Sequence, residues 1–273
     1  DRILKSHRAK LVHTPVAITD ALMWLVVLLL LGNVLLSLYT LHKVRRNYLM
    51  SFAIRSEIER ARWCDNLFRQ QQALDGLYRD LKFTAALPPT RNWAASPDFL
   101  SVLARHALEH LPRVVVECGS GVTTLVLARC MQLNGSGRVV SLDHDARFAE
   151  ETRRNLDRHG LSDWAEVVYA PLEHHAIGDD AWNWYAKRNL PGDAIDMLVV
   201  DGPPAPLGEM IRYPAGPLLF PQLSSAATVF LDDADRAGER KVLEKWLKEN
   251  RELHLETLDC EKGGVVLKRQ HVV

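Results

Sequence analysis

The alternation of hydrophobic and polar residues changes three times along the chain. Residues 21–39 are almost continuously apolar and carry no charge. From about Arg45 to Leu87, apolar residues recur at three- and four-residue steps among charged side chains, which is the period of an amphipathic helix. Beyond Pro88, short β-branched runs alternate with further helical patterns. The pattern therefore predicts an N-terminal tail at 1–16, a transmembrane helix at 17–41, a helical stalk at 42–87 and a globular domain at 88–273.

The apolar run at 21–39 has the length of a membrane-spanning helix, because a bilayer core needs about 20 residues. A buried core helix is the alternative, although nearly every face of this segment is apolar. A cleaved signal peptide fits less well, since the run is long and no A-x-A-like site follows it. Basic residues flank both ends, so their distribution does not decide the orientation. Because the sequence begins at Asp1, we expect its natural start to lie upstream.

Short strands alternate with helices throughout 88–273. This order predicts a doubly wound α/β fold, with a mostly parallel seven-stranded sheet and an antiparallel C-terminal hairpin. Four of the predicted strands end on an acidic residue. The four acids are Glu117, Asp143, Asp201 and Asp232. Because the carboxyl ends of parallel strands share one edge of the sheet, these acids favour a ligand site there over scattered turn residues.

Composition narrows the classes of function. Basic and acidic side chains number 34 each, so the net charge is zero. A nucleic-acid-binding protein is typically basic, and we therefore expect no nucleic-acid partner. The four cysteines are scattered without a C-x-x-C pair, which is typical of a reducing compartment and argues against a structural zinc site.

A glycine turn follows the first predicted strand, with the sequence E-C-G-S-G at 117–121. Glycine allows a tight turn and a close approach of a ligand to the backbone. The third glycine of the dinucleotide fingerprint is replaced by Thr124. Asp143 ends the next strand, about 24 residues after Gly119, where a carboxylate can accept hydrogen bonds from a ribose diol. Such a site would serve NAD, FAD or S-adenosylmethionine.

These motifs resemble those of class I S-adenosylmethionine-dependent methyltransferases. The E-x-G-S-G-x-T-T turn is similar to their first motif, RVVSLDHD to the second and IDMLVVDGPP to that of the fourth strand. The segments WAASPDFL, RYPAGPLLFPQL and TVFLDDADR, together with the final hairpin, resemble a metal-dependent O-methyltransferase-like subgroup. The resemblance covers about residues 93–269. It implies a Rossmann-like methyltransferase fold with S-adenosylmethionine as its cofactor.

The resemblance also implies where the cofactor lies. The glycine turn would form the floor beneath its amino-acid part, and Asp143 would hold its ribose hydroxyls. His144 would lie beside the adenine, unless it is a surface turn histidine, and the loop after the third strand would wall the adenine. The implied cofactor residues are Glu117, Gly119, Ser120, Gly121, Asp143, His144, Pro171 and Leu172.

Three acids form a second candidate site where the fourth and fifth predicted strands end: Asp201, Asp232 and Asp233. Without compensation they would raise one another's pKa values. The site resembles that of metal-dependent O-methyltransferases, and Mg²⁺ prefers such oxygen ligands. The alternative is that Asp232 or Asp233 caps a helix while Asp201 shapes a turn. Asp201 and Asp233 are the predicted catalytic residues. Because the G-P-P at 202–204 offers no nearby acid or lysine as a base, Asp233, Asp235, a histidine or water are the alternatives for removing the proton.

Four more side chains are predicted to contact the substrate. Arg212 and Arg236 lie in loops on the same edge of the sheet, where guanidinium groups could grip an anionic group. Trp184 and Tyr185 could form a lid or a stacking wall for a sugar, or else contribute to ordinary packing.

We therefore expect a single-pass, membrane-anchored S-adenosylmethionine-dependent methyltransferase, with its globular domain facing the cytoplasm, where the cofactor is made. The expected acceptor is a glycan, a lipid-linked sugar or a lipid headgroup near the membrane, methylated on oxygen with help from a divalent metal. One alternative is a non-catalytic subunit of a membrane complex. Another is a different nucleotide-dependent enzyme, such as an NAD oxidoreductase or an aminopropyl transferase. The transmembrane helix and the stalk could also join a second copy or a membrane complex.

Overall fold

A computed structural model of the protein describes residues 14–190 and 192–269. Most of the predicted tail at 1–16 lies outside the described residues. Contacts within the chain divide it into two compact units, Asp1–Asp65 and Asn66–Val273. Each unit is described below by itself.

A single long helix, α1 (Thr14–Asp80), covers the predicted transmembrane helix and most of the predicted stalk. An 18-residue window of this helix has a mean hydropathy of 2.5, and none of the window is buried. By length and composition α1 can therefore cross a membrane, although a signal sequence near the N-terminus would pass the same test. The helix ends before the predicted Leu87, because the chain turns out of helical geometry at Lys82, whose φ is +52°.

The last turns of α1, from Asn66 onward, belong to the second unit. In that unit Leu77 is 3% exposed and Leu81 is fully buried, and both pack among side chains of the core. Further helices follow in chain order. They are α2 (Pro97–His110), α3 (Val122–Asn134), α4 (Ala146–Arg158), α5 (Ala215–Leu219) and α6 (Ala237–Glu249).

The second unit is built on a seven-stranded sheet. Its strands and those of a separate hairpin are β1 (Val114–Cys118), β2 (Arg138–Asp143), β3 (Ala165–Tyr169), β4 (Leu172–Ile177), β5 (Asp180–Tyr185), β6 (Ile195–Val200), β7 (Leu223–Asp232), β8 (Leu253–Leu258) and β9 (Gly264–Arg269). The order is β3-β2-β1-β6-β7-β9-β8, and β9 runs antiparallel to the other six strands. The predicted fold class, a mostly parallel sheet with an antiparallel C-terminal hairpin, is thus confirmed.

A separate hairpin of β4 and β5 spans 172–185 and is an element that the strand pattern does not predict. Buried aromatic side chains at the end of β5 hold the hairpin against the core. His175 in this hairpin is 7% exposed, and its Nε2 lies 2.9 Å from the carbonyl oxygen of Tyr185 in a hydrogen bond. The neighbouring His174 is exposed, because alternate residues of a strand face opposite sides.

The register of the parallel strands brings their carboxyl ends to one edge. Cys118 pairs with Leu142 and with Val200, and Val200 pairs with Leu231. Asp143, Asp201 and Asp232 therefore meet at that edge, as predicted. Glu117 differs, because β1 continues to Cys118 and leaves the Glu117 side chain fully buried inside the strand.

Candidate active site

A cavity of about 620 Å³ opens at the carboxyl edge of the sheet. This volume is typical of small-molecule sites, which span roughly 300–1,000 Å³. The glycine turn and the residues after β2 form one side, and two proline-containing loops form the other. The residues of the first side include Gly119, Ser120, Gly121, Asp143, His144 and Phe148, and those of the second include Pro88, Pro89, Trp93, Asp201, Gly202, Pro204 and Leu207.

The glycine turn brings the ends of β1 and β6 into close contact. Gly119 has a φ of +102°, and a Cβ at this position would lie 3.2 Å from the backbone of Asp201 and Gly202. A Cβ on Gly202 would in turn lie 2.5 Å from the Tyr185 hydroxyl. These two positions therefore need glycine, and the sequence motif follows from the close packing of the two strand ends.

Asp143 is 4% exposed and is held by three donors. Its Oδ2 accepts hydrogen bonds from the Ser120 hydroxyl (2.6 Å) and the Ser120 amide (3.2 Å), and its Oδ1 accepts one from the Asp145 amide (2.9 Å). His144 lines the same cavity, with its Nδ1 3.7 Å from Asp143 Oδ1. The structure thus brings together the glycine turn, Asp143 and His144, as predicted. A bound diol would share or replace the Ser120 hydroxyl at the carboxylate.

Glu117 supports the turn from beneath and does not line the cavity. Its Oε2 accepts a hydrogen bond from the Thr124 hydroxyl (2.5 Å), whose oxygen in turn accepts one from the Gly121 amide (3.0 Å). Burial raises the pKa of Glu117 to about 8. Thr124, which replaces the third glycine of the dinucleotide fingerprint, therefore links the buried acid to the turn.

Several predicted residues lie elsewhere. Pro171 and Leu172 do not line the cavity, and Leu172 begins β4 and packs against the core. Trp184 is fully buried in the core, so it forms no lid, whereas the equally buried Tyr185 does line the cavity. Sequence reasoning missed the aromatic residues that do lie at the cavity mouth. They are Trp93, 75% exposed, and Phe148, 56% exposed.

The three predicted metal ligands, Asp201, Asp232 and Asp233, do converge. One oxygen from each lies within 4.8 Å of the others, close enough to share a cation. Cationic side chains of the chain itself pair with these three acids. Lys262 Nζ lies 3.0 Å from Asp232 Oδ2 and 3.3 Å from Asp233 Oδ1. Lys262 was missed because it stands in the turn between β8 and β9, far from the acids in sequence.

The two predicted substrate-binding arginines also pair with these acids. Arg212 is 2% exposed, and its Nη2 lies 3.1 Å from Asp201 Oδ1 and 3.0 Å from Asp233 Oδ2. Arg236 Nη1 lies 2.8 Å from Asp233 Oδ2. A buried arginine committed to internal carboxylates cannot grip a substrate, so the prediction for Arg212 is corrected. Arg236 remains 40% exposed at its side chain.

Burial and mutual interaction shift the titration of this cluster. Burial, together with the neighbouring Asp232 carboxylate, raises the pKa of Asp201 to about 7. Burial also raises the pKa of Asp232. Burial acts to lower the pKa values of Arg212 and Lys262, but the surrounding carboxylates outweigh it and hold both above their ordinary values.

Of the three acids, Asp201 alone lines the cavity. Asp233 is 2% exposed and faces cations with both oxygens, which does not suit the catalytic role predicted for it. A hydrated divalent cation does not fit either, since Mg²⁺ keeps several waters in an octahedral shell and here an ammonium already lies between two of the carboxylates.

Comparison with known proteins identifies the fold. Residues 116–234 match a family model described as "Methyltransferase domain". No curated protein gives a significant match. A methyltransferase of Podospora anserina, PaMTH1 bound to SAH, is 15% identical, with a TM-score of 0.51 over 73% of this chain and 88% of that chain.

Two further solved structures are similar. An O-methyltransferase from Bacillus cereus in complex with SAH is 17% identical, with a TM-score of 0.51 over 73% of this chain and 91% of that chain. Cofactor-bound Rv0187 from MTB is 22% identical, with a TM-score of 0.51 over 75% of this chain and 89% of that chain. The second unit therefore has the Rossmann-like fold of S-adenosylmethionine-dependent methyltransferases, and residues 116–234 match a methyltransferase domain.

Proposed function

We propose that the protein is an S-adenosylmethionine-dependent methyltransferase that methylates an oxygen of its acceptor. The observation that carries this proposal is a single cavity that joins the glycine turn and Asp143 to Asp201. One end offers backbone and a carboxylate to a nucleoside, and the other offers a carboxylate to an acceptor hydroxyl. The match of residues 116–234 to a methyltransferase domain favours S-adenosylmethionine over NAD.

The cofactor residues of this chain are those on the glycine side of the cavity. The backbone of 119–121 would lie against the ligand, Asp143 would accept hydrogen bonds from the ribose hydroxyls, and His144 and Phe148 would flank the base. When bound, the cofactor would supply an activated methyl group on its sulfonium. The chain's contribution is to hold the acceptor oxygen in line with that methyl group and to keep water out of the cavity.

Asp201 is the proposed general base. Its Oδ1 pairs with Arg212, whereas its Oδ2 accepts no hydrogen bond from any described residue. The Asp201 side chain lines the cavity and retains 11% exposure, which supports a contact between its carboxylate and an acceptor hydroxyl. The acceptor oxygen would take the methyl group as the bond between that methyl and the cofactor sulfur breaks, and the hydroxyl proton would move to Asp201 Oδ2.

The acceptor is proposed to be a membrane-proximal molecule with an apolar part, such as a glycolipid, a lipid-linked sugar or a lipid. The apolar window of α1 supports the membrane association. The exposed apolar side chains on the other side of the cavity, Trp93 and Leu207, support an acceptor that is partly apolar. The catalytic unit is proposed to face the cytoplasm.

The test combines cofactor binding with methyl transfer. S-adenosylhomocysteine should raise the melting temperature of the full chain in detergent, and NAD should not. Asp201→Asn should keep this shift and lose about 10²–10⁴-fold in transfer of labelled methyl groups to a membrane extract. The exposed Asp163 offers a matched control, and Asp163→Asn should behave as wild type.

Each contrary outcome supports a different alternative. A shift with NAD alone would indicate an oxidoreductase, and stabilisation by S-adenosylhomocysteine without any transfer would indicate a non-catalytic subunit. Equal transfer by Asp201→Asn and the wild type would exclude Asp201 as the base.

A further inference from the structure

The acid cluster at the ends of β6 and β7 also bears on which cation this site binds. Metal-dependent methyltransferases, which the motif resembles, place a divalent cation among such acids. We propose that in this chain the Lys262 ammonium, assisted by Arg212, takes the position of that cation, so that the cluster of Asp201, Asp232 and Asp233 is a metal-free site. This inference concerns cation binding and stands whether or not the protein transfers methyl groups.

The contacts of the three acids leave little for a metal. Asp232 Oδ1 accepts a hydrogen bond from the Asp233 amide (2.8 Å), and its Oδ2 faces Lys262. Asp233 faces Lys262 with one oxygen and Arg212 with the other. Asp201 Oδ1 also faces Arg212. Asp232 Oδ2 and Asp233 Oδ1 pair with Lys262 by charge and accept no hydrogen bond, whereas Asp201 Oδ2 has neither an ion pair nor a hydrogen bond with any described residue.

The backbone places Lys262 in this position. The Ala234 amide donates to the Gly263 carbonyl (3.2 Å), and the Asp235 amide donates to the Lys262 carbonyl (3.4 Å), which ties the β8–β9 turn to the loop after β7. Gly263 has a φ of +69°, and a Cβ there would lie 2.8 Å from the Asp235 amide nitrogen. The glycine after Lys262 therefore permits the close approach that carries the ammonium into the cluster.

A second anchor holds the Lys262 side chain. Its Nζ donates a hydrogen bond to the Ala94 carbonyl (3.3 Å), in the loop before α2 that also lines the cavity. The side chain is 16% exposed, so little water screens its interaction with the acids. Unit charges about 4 Å apart interact by several kcal/mol at a partly buried site. A dication entering the cluster would meet repulsion from both Lys262 and Arg212.

The geometry also explains why Asp201 remains free to act. The internal cations pair with Asp232, with Asp233 and with Oδ1 of Asp201, while the Asp201 side chain lines the cavity and its Oδ2 has no partner among the described residues. The cluster thus holds the Asp201 carboxylate in position and does not bind a metal. Lys262 is in this sense a positioning residue, since it contacts the acids and not the reacting atoms.

Manganese binding tests the proposal directly. The full chain, treated with a chelator and held in detergent, is titrated with Mn²⁺, and the free-ion electron paramagnetic resonance signal is followed. Wild type should not bind Mn²⁺, so the free-ion signal of one added equivalent should be the same with and without the protein. Lys262→Met, which keeps the chain length and removes the charge, should bind Mn²⁺ about tenfold or more tightly than wild type. The double variant with Lys262→Met and Asp232→Asn should bind Mn²⁺ no more tightly than wild type.

Lys268→Met is the matched control, because Lys268 lies on β9, pairs with Glu256 outside the cluster, and should leave the wild-type result unchanged. One equivalent of Mn²⁺ bound by wild type and lost in Asp232→Asn would overturn the proposal. So would a folded Lys262→Met variant that binds no better than wild type. Circular dichroism checks folding, and if Lys262→Met is unfolded, the comparison of wild type with Asp232→Asn decides alone.

Discussion

At the scale of single residues, Glu117 shows how the structure changes the meaning of a motif. It stands where a cofactor-binding acid was predicted, yet its side chain is buried inside β1 and bonds to Thr124 beneath the glycine turn. Its Oε1 is buried and accepts no hydrogen bond from the described residues. A carboxylate in this position is poorly solvated, which is why its pKa rises to about 8 and the protonated form prevails at neutral pH.

This buried acid predicts a pH-dependent stability. The folded pKa of about 8 lies above the ordinary value of 4.5, so the folded state binds the proton more tightly than the unfolded state. The contribution to the free energy of unfolding is therefore fully present below pH 4.5 and is lost as the pH rises to about 8. Within that window the loss approaches about 1.4 kcal/mol for each pH unit. Glu117→Gln should lack this loss.

Urea unfolding at several pH values between 5 and 9 measures the effect as wild type minus variant. The difference should fall with rising pH and level off above about pH 8. Glu166→Gln, at an exposed position on β3, is the control and should follow wild type at every pH. Parallel curves for wild type and Glu117→Gln would contradict the raised pKa.

At the scale of elements, the sequence predicted those helices and strands whose formation depends on the local pattern of apolar residues. The bounds of β6 agree with its apolar run, because a central parallel strand is covered on both faces and is therefore largely apolar. The β4–β5 hairpin was missed because it pairs outside the main sheet and its first strand is rich in histidine. Lys262 could not be predicted either, since only the antiparallel return of β9 beside β7 brings its turn to the acids.

The last turns of α1 are an element whose role also depends on tertiary contacts. Asp98 Oδ2 accepts hydrogen bonds from the Gln70 side chain (2.7 Å) and from the Glu261 amide (2.8 Å), which ties these turns to the β8–β9 turn. Leu77 is 3% exposed in the core of the second unit. The segment after Asn66 therefore contributes to the stability of the methyltransferase fold and is not a free stalk.

Leu77→Ala should consequently lower the free energy of unfolding by about 2–4 kcal/mol, because it removes buried methyl groups and leaves a cavity. For a unit of this size that corresponds to roughly 5–15 °C in melting temperature. Leu49, 56% exposed in the first unit, offers the control Leu49→Ala, which should leave the melting temperature of the second unit unchanged.

Truncation tests the same element without a point mutation. A fragment that starts at Asn66 should melt at the temperature of the full chain, whereas one that starts at residue 88 should melt lower and bind S-adenosylhomocysteine more weakly. Equal melting temperatures for the two fragments would mean that the last turns of α1 add nothing to the fold.

At the scale of the whole molecule, the sequence combines an apolar helix of membrane-spanning length with a Rossmann-like fold for which we propose S-adenosylmethionine as the cofactor. The apolar pattern alone predicted the helix, and the order of strands and helices alone predicted the sheet. Orientation could not be read from either, because basic residues flank both ends of the apolar run. Because the proposed cofactor is made in the cytosol, we predict that everything after the apolar run faces the cytoplasm.

Cys64 is a natural reporter of this topology. It is exposed and lies on α1 beyond the apolar window, whereas Cys118 and Cys130 are buried. Burial raises the pKa of the half-buried Cys260 to about 12, which leaves little reactive thiolate. A membrane-impermeant maleimide should therefore label Cys64 in inside-out vesicles and leave it unlabelled in right-side-out vesicles. Cys64→Ser should remove the signal.

A second reporter distinguishes a spanning helix from one that lies on the membrane. In the Cys64→Ser background, Ser6→Cys places a thiol in the predicted N-terminal tail, and it should be labelled only in right-side-out vesicles. Labelling of both positions from one side would show that α1 does not cross the bilayer. Labelling of Cys64 in right-side-out vesicles would place the catalytic unit away from its cofactor, and the proposed methyl transfer would then lose its source of methyl groups.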